Sequence, residues 1–111
     1  MPISESQQFL YFGPIAPGEQ DSFDVEFATR LNGSSIASTS WTCAVAENTA
    51  GVDADPQAHV VATQIQGTKT VAVISGCVDG VTYVLNASVV TEDTPPRTLQ
   101  QGAYLPCRKV E

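Results

Sequence analysis

Val81-Thr82-Tyr83-Val84-Leu85-Asn86-Ala87-Ser88-Val89-Val90 places Val81, Tyr83, Leu85, Ala87 and Val89 on one side of an extended chain and Thr82, Val84, Asn86, Ser88 and Val90 on the other. Alternation over that length predicts a central β-strand, because successive side chains of a strand point to opposite faces. Upstream, Phe23, Val25 and Phe27 alternate with Ser22, Asp24 and Glu26, the pattern of a strand with one wet face. Trp41, Cys43 and Val45 share a third face, but Ile36 is out of phase with Trp41. A bulge or bend near Ala37 to Thr39 reconciles the two. His59 to Gln66 and Lys69 to Ser75 are β-rich segments around Gly67-Thr68, a hairpin turn in which Gly accepts positive φ. Gly76 to Gly80 breaks the chain again, and Thr91 to Pro96 must turn, since consecutive prolines supply no ladder donors. A last strand spans about Arg97 to Leu105, weakened by Pro106.

The 111-residue chain has thirteen Val and eleven Thr against five Leu. Branching at Cβ suits a pleated surface better than a helical turn, so the expected class is all-β. About six or seven strands separated by turn signals predict one antiparallel β-sandwich, with a small barrel as the alternative. The Gly80 to Tyr83 stretch is similar to the corner that opens the sixth strand of immunoglobulin-like sandwiches. This length is that of one domain, able to bury roughly two thirds of the surface its unfolded chain exposes. Five basic and twelve acidic side chains give a formal charge of −7. Nucleic acid is therefore not an expected ligand, since its binding requires clustered positive charge. No apolar run approaches the length of about 18 residues needed to span a bilayer. Met1 to Gln8, with Glu5 and no basic residue, does not read as a signal peptide.

Candidate chemistry is thin, and no catalytic, metal or cofactor site is expected. His59 is the only histidine, and its acidic neighbours in sequence, Asp53 and Asp55, make no recognised ligand spacing. They are read as a solvated loop, part of the long connection from Ala46 to Ala58. None of Ser38, Ser75 or Cys77 lies in a nucleophile-elbow pattern of glycines. Of the three cysteines, Cys43 alternates with Trp41 and reads as a small core residue, while Cys77 lies in a turn and Cys107 follows Pro106. Free thiols are the default in a reducing compartment; under oxidising conditions Cys77 and Cys107 are the candidates for a disulfide, as cross-links to a neighbour.

The ends differ from the middle. Residues 1–18 carry a polar stretch, then Phe9-Leu10-Tyr11-Phe12, then Gly13-Pro14 and Pro17-Gly18. Four bulky apolar residues between a polar tail and chain breakers read either as an arm that buries them on a neighbouring subunit or as the domain's own first edge strand. Residues 19–111 are then the single sandwich domain.

Four stretches occur in an order that resembles a known family: Ser35-Ile36-Ala37-Ser38-Thr39-Ser40-Trp41-Thr42, Thr70-Val71-Ala72-Val73-Ile74-Ser75-Gly76, Gly80-Val81-Thr82-Tyr83 and Arg97-Thr98-Leu99. They are similar to the "Ile-Ala-Ser" run into a Trp, the "Val-x-Ile/Leu-Ser-Gly" strand, the "Gly-Thr-Thr-Tyr" stretch and the "Arg-Thr" return strand of small tailed-bacteriophage virion proteins, including the fibre-tail adaptors. The likeness spans roughly Asp21 to Leu105; the N-terminal segment, the Asp53 to Ala58 loop and the cysteines depart from it. It implies an immunoglobulin- or fibronectin-III-like sandwich and a non-catalytic virion component that bridges neck or tail proteins and tail fibres. It also implies a homo-oligomeric ring in the particle, assembled in the bacterial host cytoplasm, with no nucleic acid, membrane or small-molecule substrate as partner. On that reading Phe9, Leu10, Tyr11 and Phe12 are the anchors and Arg108, Lys109 and Val110 a second contact. A capsid decoration protein and a receptor- or sugar-binding module are the alternatives. Copy number per particle separates the first, and the core placement expected for Trp41 argues against the second.

Overall fold

Alternation in the 81–90 run produces a central strand: Tyr83, Leu85, Ala87 and Val89 are completely buried, and their intervening neighbours are half-buried. The computed structural model describes residues 10–46 and 52–108. In chain order these form β1 (Leu10–Tyr11), β2 (Gln20–Glu26), a one-turn helix α1 (Ala28–Leu31), β3 (Ile36–Val45), a 3₁₀ turn (Pro56–His59), β4 (Val60–Gln66), β5 (Lys69–Ser75), β6 (Thr82–Thr91) and β7 (Thr98–Pro106). Two sheets result, ordered β1-β7-β6-β3 and β2-β5-β4. Every strand pair is antiparallel except β1 with β7. The protein is an all-β sandwich.

Each turn has a local cause. Gly67, at φ 64°, starts the two-residue loop that pairs Gln66 with Lys69, as a type II′ turn requires. The phase slip between Ile36 and Trp41 is a register shift between Ile36 and Ser38. His59 belongs to the 3₁₀ turn, so β4 starts one residue later than the alternation suggests. Arg97 likewise precedes β7, and its guanidinium clamps the end of α1 by donating to Asp93 Oδ2 (2.7 Å) and to the Arg30 and Leu31 carbonyls (3.1 and 2.7 Å). Pro106 remains within β7 because its absent N–H would point away from β6. Its carbonyl accepts from Ile15 N–H on that outer side (3.0 Å).

The core lies between the sheets and contains Trp41, Phe27, Leu31, Ile74 and Leu105 with the buried face of β6. Trp41 donates from Nε1 to Thr70 Oγ1 (2.8 Å), which also meets Thr39 Oγ1 (2.5 Å). These bonds join the layers and leave no indole N–H unpaired in the core.

Candidate functional site

The N-terminal stretch is laid against the final strand. Leu10 and Tyr11 pair in parallel with Ala103 and Tyr104, Phe12 N–H donates to the Tyr104 carbonyl (3.0 Å), and Arg108 N–H to the Ile15 carbonyl (3.1 Å). The N-terminal stretch thus follows the outer side of β7, with Leu10 and Tyr11 beside Ala103 and Tyr104 and, further along, Ile15 beside Arg108. Their side chains then diverge. Ile15 is 1% exposed, and Phe12 stacks on Phe23 at 4.9 Å and packs against the core. Leu10 is 41% and Tyr11 78% exposed, with the Tyr11 ring stacked on Tyr104 at 5.1 Å. Phe9, Lys109 and Val110 lie outside the described residues. Next to this flank a shallow cavity of about 250 Å³ is lined by Phe12, Phe23, Ser22, Asp24, Gln66 and Val71. Aromatic rings fixed by a ladder and by stacking, with their faces in water, can bury area on a partner at little further entropic cost.

A second cluster escaped the reading of the sequence. Asp53, placed in a solvated loop, has a side chain only 8% exposed. Its Oδ2 accepts from His59 Nε2 (2.6 Å) and from the Tyr83 hydroxyl (2.6 Å). Tyr83 in turn accepts from Val78 N–H (2.9 Å), five residues upstream, in the manner of a tyrosine corner. His59 Nδ1 lies 3.0 Å from the Ser75 carbonyl. The hydrogen bond from Tyr83, then those from Asp55 N–H and His59, hold the Asp53 carboxyl below the ordinary aspartate range despite its burial. Burial, then the bond to Asp53, pushes the Tyr83 phenol up. Both imidazole nitrogens are engaged inside the protein, so the group closes the 53–59 loop over the 75–83 turn. A tyrosine following a turn was the one signal available in the sequence.

Cys43, Cys77 and Cys107 are free and buried. The Cys77 and Cys107 thiols interact directly. Burial in the first place pushes the Cys43 and Cys77 thiols up to about 12. Among the described residues no cluster of His, Cys, Asp and Glu is suited to a metal ion. None of their helices is long and apolar enough to cross a membrane.

The fold and flank define a small all-β sandwich module with an aromatic strip fixed along β7. Residues 16–106 match the family model described as Podophage GP4 fiber-tail adaptor protein gp77, and the chain belongs to this family. It is a structural component of the phage tail-fibre adaptor type. No match is found among curated proteins. The matched span contains Trp41, Thr70, Tyr83 and Arg97, the side chains that fasten the framework, and stops short of both Leu10–Phe12 and Arg108.

Proposed function

We propose that the protein is a non-catalytic virion adaptor that bridges tail or neck proteins and fibres through the flank formed by Leu10, Tyr11 and Tyr104, with Arg108 as a neighbouring polar contact. The single observation that supports this is Tyr11. A ring 78% exposed, yet held by strand pairing and by stacking on Tyr104, is arranged for a partner and not for the core of its own domain. The sandwich then serves as a rigid spacer, with Phe9, Lys109 and Val110 as further contact residues. The copies form a ring in the particle, assembled in the host cytoplasm.

The test is a phage carrying Leu10→Ser and Tyr11→Ser together. The purified variant is expected to melt as the parent does, while particles lose the adaptor and the fibres that follow it. Phe12 is left intact because its contact with Phe23 makes it a packing residue. Particles that retain the variant at parental copy number would sink the proposal. A lattice-wide copy number in parental particles would point to shell decoration.

A further inference from the structure

The sandwich has four open strand edges, and three are blunted. Along β3, Gln57 acts as a substitute strand: its Oε1 accepts from Cys43 N–H (2.9 Å) and its Nε2 donates to the Trp41 carbonyl (3.1 Å). Along β7, β1 covers Ala103 and Tyr104, and Arg30 donates to the Gln100 carbonyl (2.7 Å). β2 carries Asp21, Asp24 and Glu26. Such devices stop edges from pairing with other chains.

Among the described residues β4 has none of this beyond a bulge at its start. Its sequence Val60-Val61-Ala62-Thr63-Gln64-Ile65-Gln66 contains no charge, Gly or Pro, in a chain of net charge −7. Apart from half-buried Val60 the whole strand is exposed, with Val61 at 53% and Ile65 at 38%. Thr63 and Ile65 are exposed although they share a face with buried Ala72 and Thr70 of β5, so β4 overhangs the opposite sheet. The direction of its backbone groups follows from the ladder. Phe27 N–H bonds the Thr68 carbonyl, so the even-numbered residues of β5 face β2 and the odd-numbered face β4. Lys69, Val71 and Val73 therefore bond Gln66, Gln64 and Ala62. The N–H and C=O groups of Thr63 and Ile65 therefore point outward, while Val61 sits in the bulge between Val60 and Ala62.

We infer that the β4 edge pairs antiparallel with the β4 edge of a second copy of this chain, with the two-fold axis at Thr63. About that axis Thr63 meets Thr63 as a hydrogen-bonded pair, and the side chains of Ile65 and of Val61, which the bulge leaves exposed, come together across the edge. Ala62 meets Gln64 on the other face. The two exposed apolar side chains thus become cross-strand partners, and no like charges approach one another. The result is a continuous six-stranded sheet ordered β2-β5-β4-β4-β5-β2. A two-fold contact of this kind is self-complementary and closes at two copies. The inference stands on the β4 edge alone and is independent of the adaptor flank.

Sedimentation velocity and light scattering of the full chain over a wide concentration series test it. The expected mass rises from 11.7 kDa toward twice that value as concentration increases. Thr63→Pro removes an outward N–H while leaving the β5 ladder intact, so it is expected to melt as the parent does and to abolish the pair. Ile65→Lys is expected to do the same by placing charge against Val61, and keeps the test open if the proline variant folds poorly. Tyr11→Ser leaves the pair unchanged. A mass that stays monomeric throughout, or a dimer of undiminished affinity in a folded Thr63→Pro or Ile65→Lys protein, overturns the inference.

Discussion

Tyr83 and Tyr11 are the same residue in opposite circumstances. Tyr83 has no exposed surface, and its hydroxyl bonds both Val78 and Asp53. Tyr11 is held just as definitely, by β7 and by the Tyr104 ring, yet its own surface faces water. The difference separates a framework group, whose polar atoms and area are satisfied internally, from the docking group proposed at Tyr11, which is positioned without being covered. Breaking each tyrosine separates the two roles. Tyr83→Phe keeps the ring but strips Val78 N–H and Asp53 of their shared partner. It is expected to lower unfolding free energy by about 2 kcal/mol, since bonds to charged groups contribute about 1.5–3. Urea denaturation, with the slope checked for constancy, measures it.

The loop end should also respond to acid. Asp53 is held below the ordinary aspartate range chiefly by Tyr83. Asp93 is held down by the Ser34 hydroxyl, then by Arg97 and Thr91. A carboxyl with a lowered folded-state pKa contributes stability above its unfolded value of about 3.9, and that contribution is lost as pH falls through the folded value. The urea midpoint is therefore expected to stay level from neutral pH to about 5 and to drop below about 4. Asp53→Asn should flatten part of that drop. An unchanged profile would mean that the Asp53 bonds contribute no net stability.

Much of this framework was legible in the sequence because it is local. Alternation in residues 22–27 and 81–90, Gly67 at the hairpin and the phase slip before Trp41 depend on neighbours in the chain, and each appears in the fold as a strand, a turn or a bulge. What was not legible depends on residues brought together from afar. Asp53 and Tyr83 are 30 positions apart, and Gln57 acts as a strand substitute only because the 3₁₀ turn sets it beside Trp41 and Cys43. Helix α1 is a single turn, too short to show a period. The apolar run at residues 9–12 could be core or contact. The alternatives divide within the run, since Phe12 packs inward while Tyr11 does not, and only the position of β7 makes that division.

The cysteines give a smaller effect at the opposite end of the pH scale. Burial raises the Cys43 and Cys77 thiols to about 12, so folding favours their protonated forms. That contribution is complete below the unfolded value of about 8.5 and is lost as pH rises toward the folded one. Stability is expected to decline from about pH 9 upward. At pH 8 the native thiols should react with a maleimide far more slowly than those of the urea-unfolded chain. Labelling at the unfolded rate under native conditions would show that the loop end opens readily.

Tyr11 gives the smallest effect on stability and the most informative contrast. Tyr11→Ala removes a ring already 78% in water, so the loss comprises its stacking on Tyr104 and little burial. Exposed substitutions of this kind stay within about 0.5 kcal/mol, and the urea midpoint is expected to be close to the parent's. Incorporation into particles should nonetheless fall, because among the described residues the ring is the most exposed aromatic surface on the flank and an anchor of that type carries a large share of binding energy. Tyr83→Phe should behave in reverse, destabilising the isolated protein while the variant that remains folded still docks. If Tyr11→Ala instead lowers stability as much as Tyr83→Phe does, the Leu10–Tyr11 strand belongs to the framework, and the docking surface must be sought elsewhere.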